Sequence, residues 1–172
     1  MFSGWGVRTV SSVESRYNPM SYHNGSVWPH DNGLIAAGLS RYRLDDLIGL
    51  PFAGMFDASV WMDGHRLPEL FCGFHRREGE GPTQYPVACS PQAWASGVVF
   101  HLIQACLRLS IDVTDQRLCV DRAILPPIFT SLRLLNLELP FGQADLLFER
   151  HPLDVGVTVL RKQGDFEVRV LK

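Results

Sequence analysis

Two stretches of this sequence concentrate groups able to act on a polyhydroxylated ligand. The first is "NPMSYHNGSVWPHDNG", Asn18 to Gly33, which carries Tyr22, His23, Asn24, Trp28, His30, Asp31 and Asn32 among two prolines and two glycines. The second is "RLPELFCGF", in which Glu69 stands between Pro68 and the apolar pair Leu70-Phe71. Aromatic faces and planar amide, imidazole and carboxylate groups suit a sugar. Its C–H faces lie on rings and its hydroxyls pair with planar polar edges. Hydrolysis of a glycosidic bond takes two carboxyl groups flanking that bond. Asp31 and Glu69 are the outstanding acids here. The proline before Glu69 stiffens its backbone and the apolar neighbours dry its surroundings, both of which suit a general base.

Each residue also has a plainer reading. Asp31, near the third position of a helix, complements the helix dipole, and a structural or sugar-orienting role outweighs catalysis for it. Glu69 taken alone is an ordinary loop carboxylate. His23, His30 and Asp31 could share a metal, but their spacing matches no zinc motif, so no metal or other cofactor is expected. Trp28 and Trp94 suit a core as well as a ligand platform. Glu78 and Glu80, in "RREGEG", read as a solvated tip, and "GEGPT" is too short and wrongly flanked for a phosphate loop.

Three helical patterns and one long loop must position these groups. "WPHD" starts the first helix, over residues 29 to 43, because Pro29 suits the first helical position. A second helix spans 45 to 62, with Asp45 as a possible cap and Pro51 as a kink or restart. Residues 63 to 90 hold three prolines and four glycines and read as a loop. Its apolar content, including Leu67, Leu70, Phe71 and Tyr85, argues for an ordered loop. A third helix follows Ser90 and Pro91, with Gln92, Ala93 and Trp94 in its first turn. It is apolar nearly all round, the mark of an element buried on several sides. Short connections make helices antiparallel neighbours. The starts of the first and third helices and the long loop therefore gather at one mouth.

The sequence changes character near residue 112. Beyond it, short alternating runs suggest three or four strands, with turns near Pro140-Phe141-Gly142, His151-Pro152 and Gln163-Gly164-Asp165. The strand through Val155, Val157 and Val159 reads as covered on both faces.

Composition narrows the function classes. The chain has 172 residues, 46% hydrophobic and 20% charged, with a net charge of −2. That balance gives no electrostatic case for nucleic acid or an anionic membrane. No apolar run approaches the ~20 residues that cross a bilayer, and "MFSGWGVRTV" lacks the pattern of a secretion signal. A cytoplasmic setting is the default. Cys72, Cys89, Cys106 and Cys119 form no C-x-x-C pair and read as free thiols.

The motifs "SGWGVRT", "YNPMSYHNGSVWPHDN", "LPELFCGF" and "YPVACSPQAWASG", in that order over most of residues 3 to 110, resemble the C-terminal part of bacterial amylo-alpha-1,6-glucosidase (glycogen debranching enzyme) type proteins. The resemblance implies a partial (α/α)6 toroid of the six-hairpin glycosidase kind over residues 1–111. A small antiparallel β region over 112–172 would pack on it. It implies inverting hydrolysis of alpha-glucan-type oligosaccharides, with Glu69 as the water-activating base. Tyr22, His23, Asn24, Trp28, His30, Asp31, Gln92 and Trp94 would line the sugar pocket. The general acid lies upstream in the family and has no counterpart in this chain. The chain alone is therefore expected to hydrolyse nothing, and to associate with a missing N-terminal part or with itself. The rival readings are a non-catalytic carbohydrate-binding domain and a partner-binding domain on the same scaffold. The linkage cleaved is not fixed by any of these residues.

Overall fold

The computed structural model describes residues 1–172. The chain divides into two compact units, Met1–Ile103 and Gln104–Lys172. No helix is long and apolar enough to cross a membrane.

The first unit contains α1 (Pro29–Arg41), α2 (Asp45–Val60) and most of α3 (Ala93–Leu107), which continues across the division. Pro29 occupies the first turn of α1, where its missing N–H costs nothing. Leu44, and not Asp45, takes the cap position of α2, and Pro51 is accommodated inside a continuous helix. α3 begins at Ala93, later than Ser90-Pro91 suggests. Gln92 closes its first turn: its side-chain oxygen accepts the Ala93 N–H at 3.3 Å and its carbonyl accepts the Ser96 N–H at 3.0 Å. α1 and α2 pack together. α1 also lies against α3, so closely that a side chain at Gly33 would run into Val98.

Beside the helices, four chain passages lie edge to edge through single antiparallel bridges, in the order Arg8, Val27, Phe71, Gln84. The central link is reciprocal: the Val27 N–H donates to Phe71 O at 2.9 Å and the Phe71 N–H to Val27 O at 3.0 Å. These passages fix the long loop as ordered chain. Leu67, Leu70 and Phe71 are buried with Val27, Phe52 and Met55 in the core of this unit. Gly73 is obligatory at the bend after Phe71, because any side chain there would collide with the Gly25 carbonyl.

The second unit is two three-stranded sheets. One has the order β1 (Leu109–Asp112), β2 (Arg117–Asp121), β6 (Glu167–Leu171). The other runs β3 (Ser131–Leu139), β4 (Gly142–Arg150), β5 (Val155–Gln163). The pairs β1–β2, β3–β4 and β4–β5 are antiparallel, and β2–β6 is parallel. β4 alternates as a half-buried strand should, burying Ala144, Leu146 and Phe148.

This architecture corrects the expected fold class. Three α-helices and six strands do not make a partial (α/α)6 toroid with a small β tail. A toroid needs helical hairpins in succession. Here α1 and α2 form one helical pair, non-helical chain fills most of the stretch from α2 to α3, and strands follow α3 at once. The uniform apolarity of α3 was a misleading cue. One face buries Ala95, Val98, Leu102 and Cys106, while Trp94, Val99 and Phe100 remain exposed. The strand through Val155 to Val159 is not covered on both faces either. It lies at a sheet edge, and its residues beyond Val157 are exposed.

Candidate functional site

The loop that opens the site is tied into a closed turn. The Asn18 N–H donates to Asn24 O at 2.8 Å, the Ser21 N–H to Asn18 O at 2.9 Å, and the Ser26 hydroxyl to Tyr22 O at 2.6 Å. Trp28 locks this turn from below. Its indole N–H lies 3.1 Å from Tyr22 O and 2.9 Å from the Ser26 hydroxyl oxygen. At 6% exposure, Trp28 supports the loop and presents no open face to a ligand.

Tyr22 stands on that support. Its ring meets Trp28 edge-on at 4.8 Å, His23 at 4.7 Å and Tyr85 at 5.6 Å. Its hydroxyl donates to Glu69 Oε1 at 2.6 Å, the length of a charge-assisted bond. This contact pushes the Tyr22 phenol up to about 12, the hydrogen bond to Glu69 weighing most and desolvation next. The Cys89 N–H donates to Glu69 Oε2 at 3.3 Å. Glu69 is half-buried. Its own N–H donates to Cys89 O at 2.8 Å, and Phe71, two residues on, is locked to Val27. Both backbone and carboxylate of Glu69 are thus held from the 22–28 and 85–89 segments.

A second group adjoins the first through Trp28. The His30 ring lies 5.8 Å from Trp28 at 80° and stacks on Trp94 at 4.4 Å and 21°. His30 Nε2 is 3.1 Å from Asp31 Oδ1. Trp94 is 49% exposed, so the face not covered by His30 is open. Asp31 sits in the first turn of α1, where a carboxylate complements the dipole.

The sequence-derived candidates therefore separate by role. Tyr22, His23, Trp28 and Glu69 form one contiguous cluster, and His30, Asp31 and Trp94 form its neighbour. Gln92 closes the first turn of α3, and Asn24 is exposed on the closed turn. No group of three His, Cys, Asp or Glu side chains is placed to hold a metal ion.

Two participants, Tyr85 and the Cys89 backbone, escaped sequence reasoning as site residues, and Asn32 stood in the polar run of residues 18–33 without a role. Tyr85 and the Cys89 backbone reach the site only through the fold of the long loop, and no local pattern marks them. Asn32 is fully buried beneath the site. Its Oδ1 accepts the Val7 N–H at 2.7 Å, and its Nδ2 lies 2.9 Å from Trp28 O and 3.2 Å from Val7 O. An asparagine inside a helix, four residues after Trp28, was the available signal. No protein-family model matches this sequence, and no curated protein matches it.

Proposed function

We propose that this chain is the base-bearing part of a glycoside hydrolase acting on alpha-glucan-type oligosaccharides. Glu69 activates a water for inverting attack, and the general acid comes from a segment outside this sequence. The observation behind this reading is the fixed carboxylate of Glu69, held by Tyr22 and the Cys89 N–H among aromatic rings. A base must be held in one orientation beside its water, and rings on its flank supply surfaces for a sugar. Trp94 offers the open aromatic face, and His23, Asn24 and Asp31 offer polar edges at the surface.

The partners that accord with this reading are an oligosaccharide and a protein segment covering the exposed part of α3, either a missing N-terminal part or a second copy. A cytoplasmic location accords with four unpaired cysteines.

A second reading, a carbohydrate-binding domain without turnover, has one observation in its favour. The half-exposed Trp94, with His30 and Asp31 beside it, is a surface that could take a sugar without any catalytic carboxylate.

Titration with maltotriose, followed by tryptophan fluorescence and calorimetry, tests both. Binding with no glucose released from maltooligosaccharides is the expected outcome for this chain. Glu69→Gln should keep that binding, and should abolish turnover in a longer form that carries the acid. Glucose release by the isolated chain would overturn the assignment of the acid to another segment. No response to maltotriose would remove the sugar reading altogether.

A further inference from the structure

We infer that Tyr22 is a positioning residue for Glu69 and not a sugar ligand: its hydroxyl takes one acceptor position of Oε1 and the Cys89 N–H takes one of Oε2, which fixes the carboxylate and leaves a position on each oxygen, one of which takes the proton of an attacking water. This inference rests on the hydrolase reading above.

A carboxylate offers about four acceptor positions on its two oxygens. The Tyr22 hydroxyl, with a single proton, commits it to Oε1 at 2.6 Å. It has no second proton for a sugar. Tyr22 is itself immobilised. Trp28 Nε1 and the Ser26 hydroxyl hold its carbonyl, and the rings of Trp28, His23 and Tyr85 surround its own. The titratable groups facing this pair are Cys89 and Tyr85 from the long loop and His23 from the turn. No lysine or arginine pairs with Glu69.

Glycosyl fluorides isolate the step assigned to Glu69, because fluoride departs without a proton from a general acid. With alpha-D-glucosyl fluoride, the water oxygen bonds to the anomeric carbon while its proton passes to the Glu69 carboxylate. The C–F bond breaks with its electron pair leaving on fluoride. The products are beta-glucose and fluoride, and the Glu69 carboxyl returns its proton to solvent. The chain should perform this reaction although it cleaves no ordinary glycoside.

The experiment measures fluoride release by wild type, Tyr22→Phe and Tyr42→Phe, together with maltotriose binding and titration of the Tyr22 phenol. Tyr22→Phe keeps the ring and removes only the hydroxyl. It should lower kcat by about 100-fold, the scale of general-base catalysis, and leave KM within about two-fold. Tyr42→Phe, at the exposed end of α1, should change neither. The phenol should ionise at about 12 in wild type and fall toward its ordinary 10 in Glu69→Gln. Unchanged kcat in Tyr22→Phe overturns the inference. So does a raised KM with unchanged kcat, which would make Tyr22 a sugar ligand. Maltotriose binding without fluoride release would sink the hydrolase reading and with it the proton-accepting role. The phenol titration would then decide separately whether Tyr22 holds the carboxylate.

Discussion

The imidazole of His30 and the indole of Trp94 stack 4.4 Å apart, joining the first turns of α1 and α3 at one end of the first unit. Along the same two helices, Gly33 meets Val98. The contacts advance together, from 30 to 33 and from 94 to 98, so α1 and α3 run side by side in the same direction. Their N-termini share one end, beside the Trp28 indole that supports Tyr22.

This arrangement leaves Trp94 with one covered face and one open face. Trp94→Ala should weaken maltotriose binding by about tenfold, the equivalent of one aromatic contact of about 1.4 kcal/mol. Calorimetric titration reads the change. Affinity equal to wild type would remove Trp94 from the ligand surface.

Asn32 ties α1 to Val7 and to the Trp28 carbonyl from a fully buried position. Asn32→Leu keeps the size of the side chain and strands the Val7 N–H and carbonyl. The expected loss is about 2–4 kcal/mol of stability, read as a lower urea midpoint at unchanged slope. A loss below the error of the midpoint would mean that these groups find other partners.

In the second unit, Asp145 pins two strand irregularities. It accepts from the Asn136 N–H at 2.7 Å, where β3 and β4 slip in register, and from Arg161 Nε at 2.9 Å, where β4 and β5 slip. The Arg161 guanidinium first, and the Asn136 N–H second, hold the Asp145 carboxyl below its ordinary 3.8. A carboxyl depressed in the folded state adds stability above its unfolded value. That contribution disappears as the pH falls through the folded value. Thermal unfolding should therefore lose stability below about pH 4, and Asp145→Asn should flatten that acid limb. Equal acid slopes in the two proteins would refute the assignment.

Phe100 is 75% exposed on α3, one residue from the half-exposed Val99. α3 carries no Asp, Glu, Lys or Arg from Ala93 to Leu107, so no charged side chain of the helix opposes burial of this face against another apolar surface. Wild type should show concentration-dependent association in sedimentation velocity. Phe100→Asp should suppress it without lowering the thermal midpoint. A strictly monomeric wild type at high concentration would remove self-association as the fate of this face.

Local chemistry wrote the starts of α1 and α2, the non-helical run after α2 and the strand-rich end directly into the sequence. Pro29 prefers the first helical turn. Prolines and glycines interrupt any helix between 63 and 90. Alternation marks β4. These signals act over a few neighbours, so a single sequence shows them. The toroid was what the motif resemblance implied, and the apolar α3 agreed with it only because a helix apolar on every side reads the same whether its faces are covered or left exposed. Covering is a property of other segments.

The site divides along the same line. Its residue types follow from composition and local context, which offer both Asp31 and Glu69 as acids, and the preference for Glu69 as base is what the family resemblance implies. That Tyr22 reaches across 47 positions to Glu69, that Trp28 is a buried support, and that Cys89 contributes a backbone N–H are decisions of the tertiary structure. They depend on which chain passages pair across Val27 and Phe71. Such pairing is fixed by packing among distant segments, which no local pattern of residues encodes.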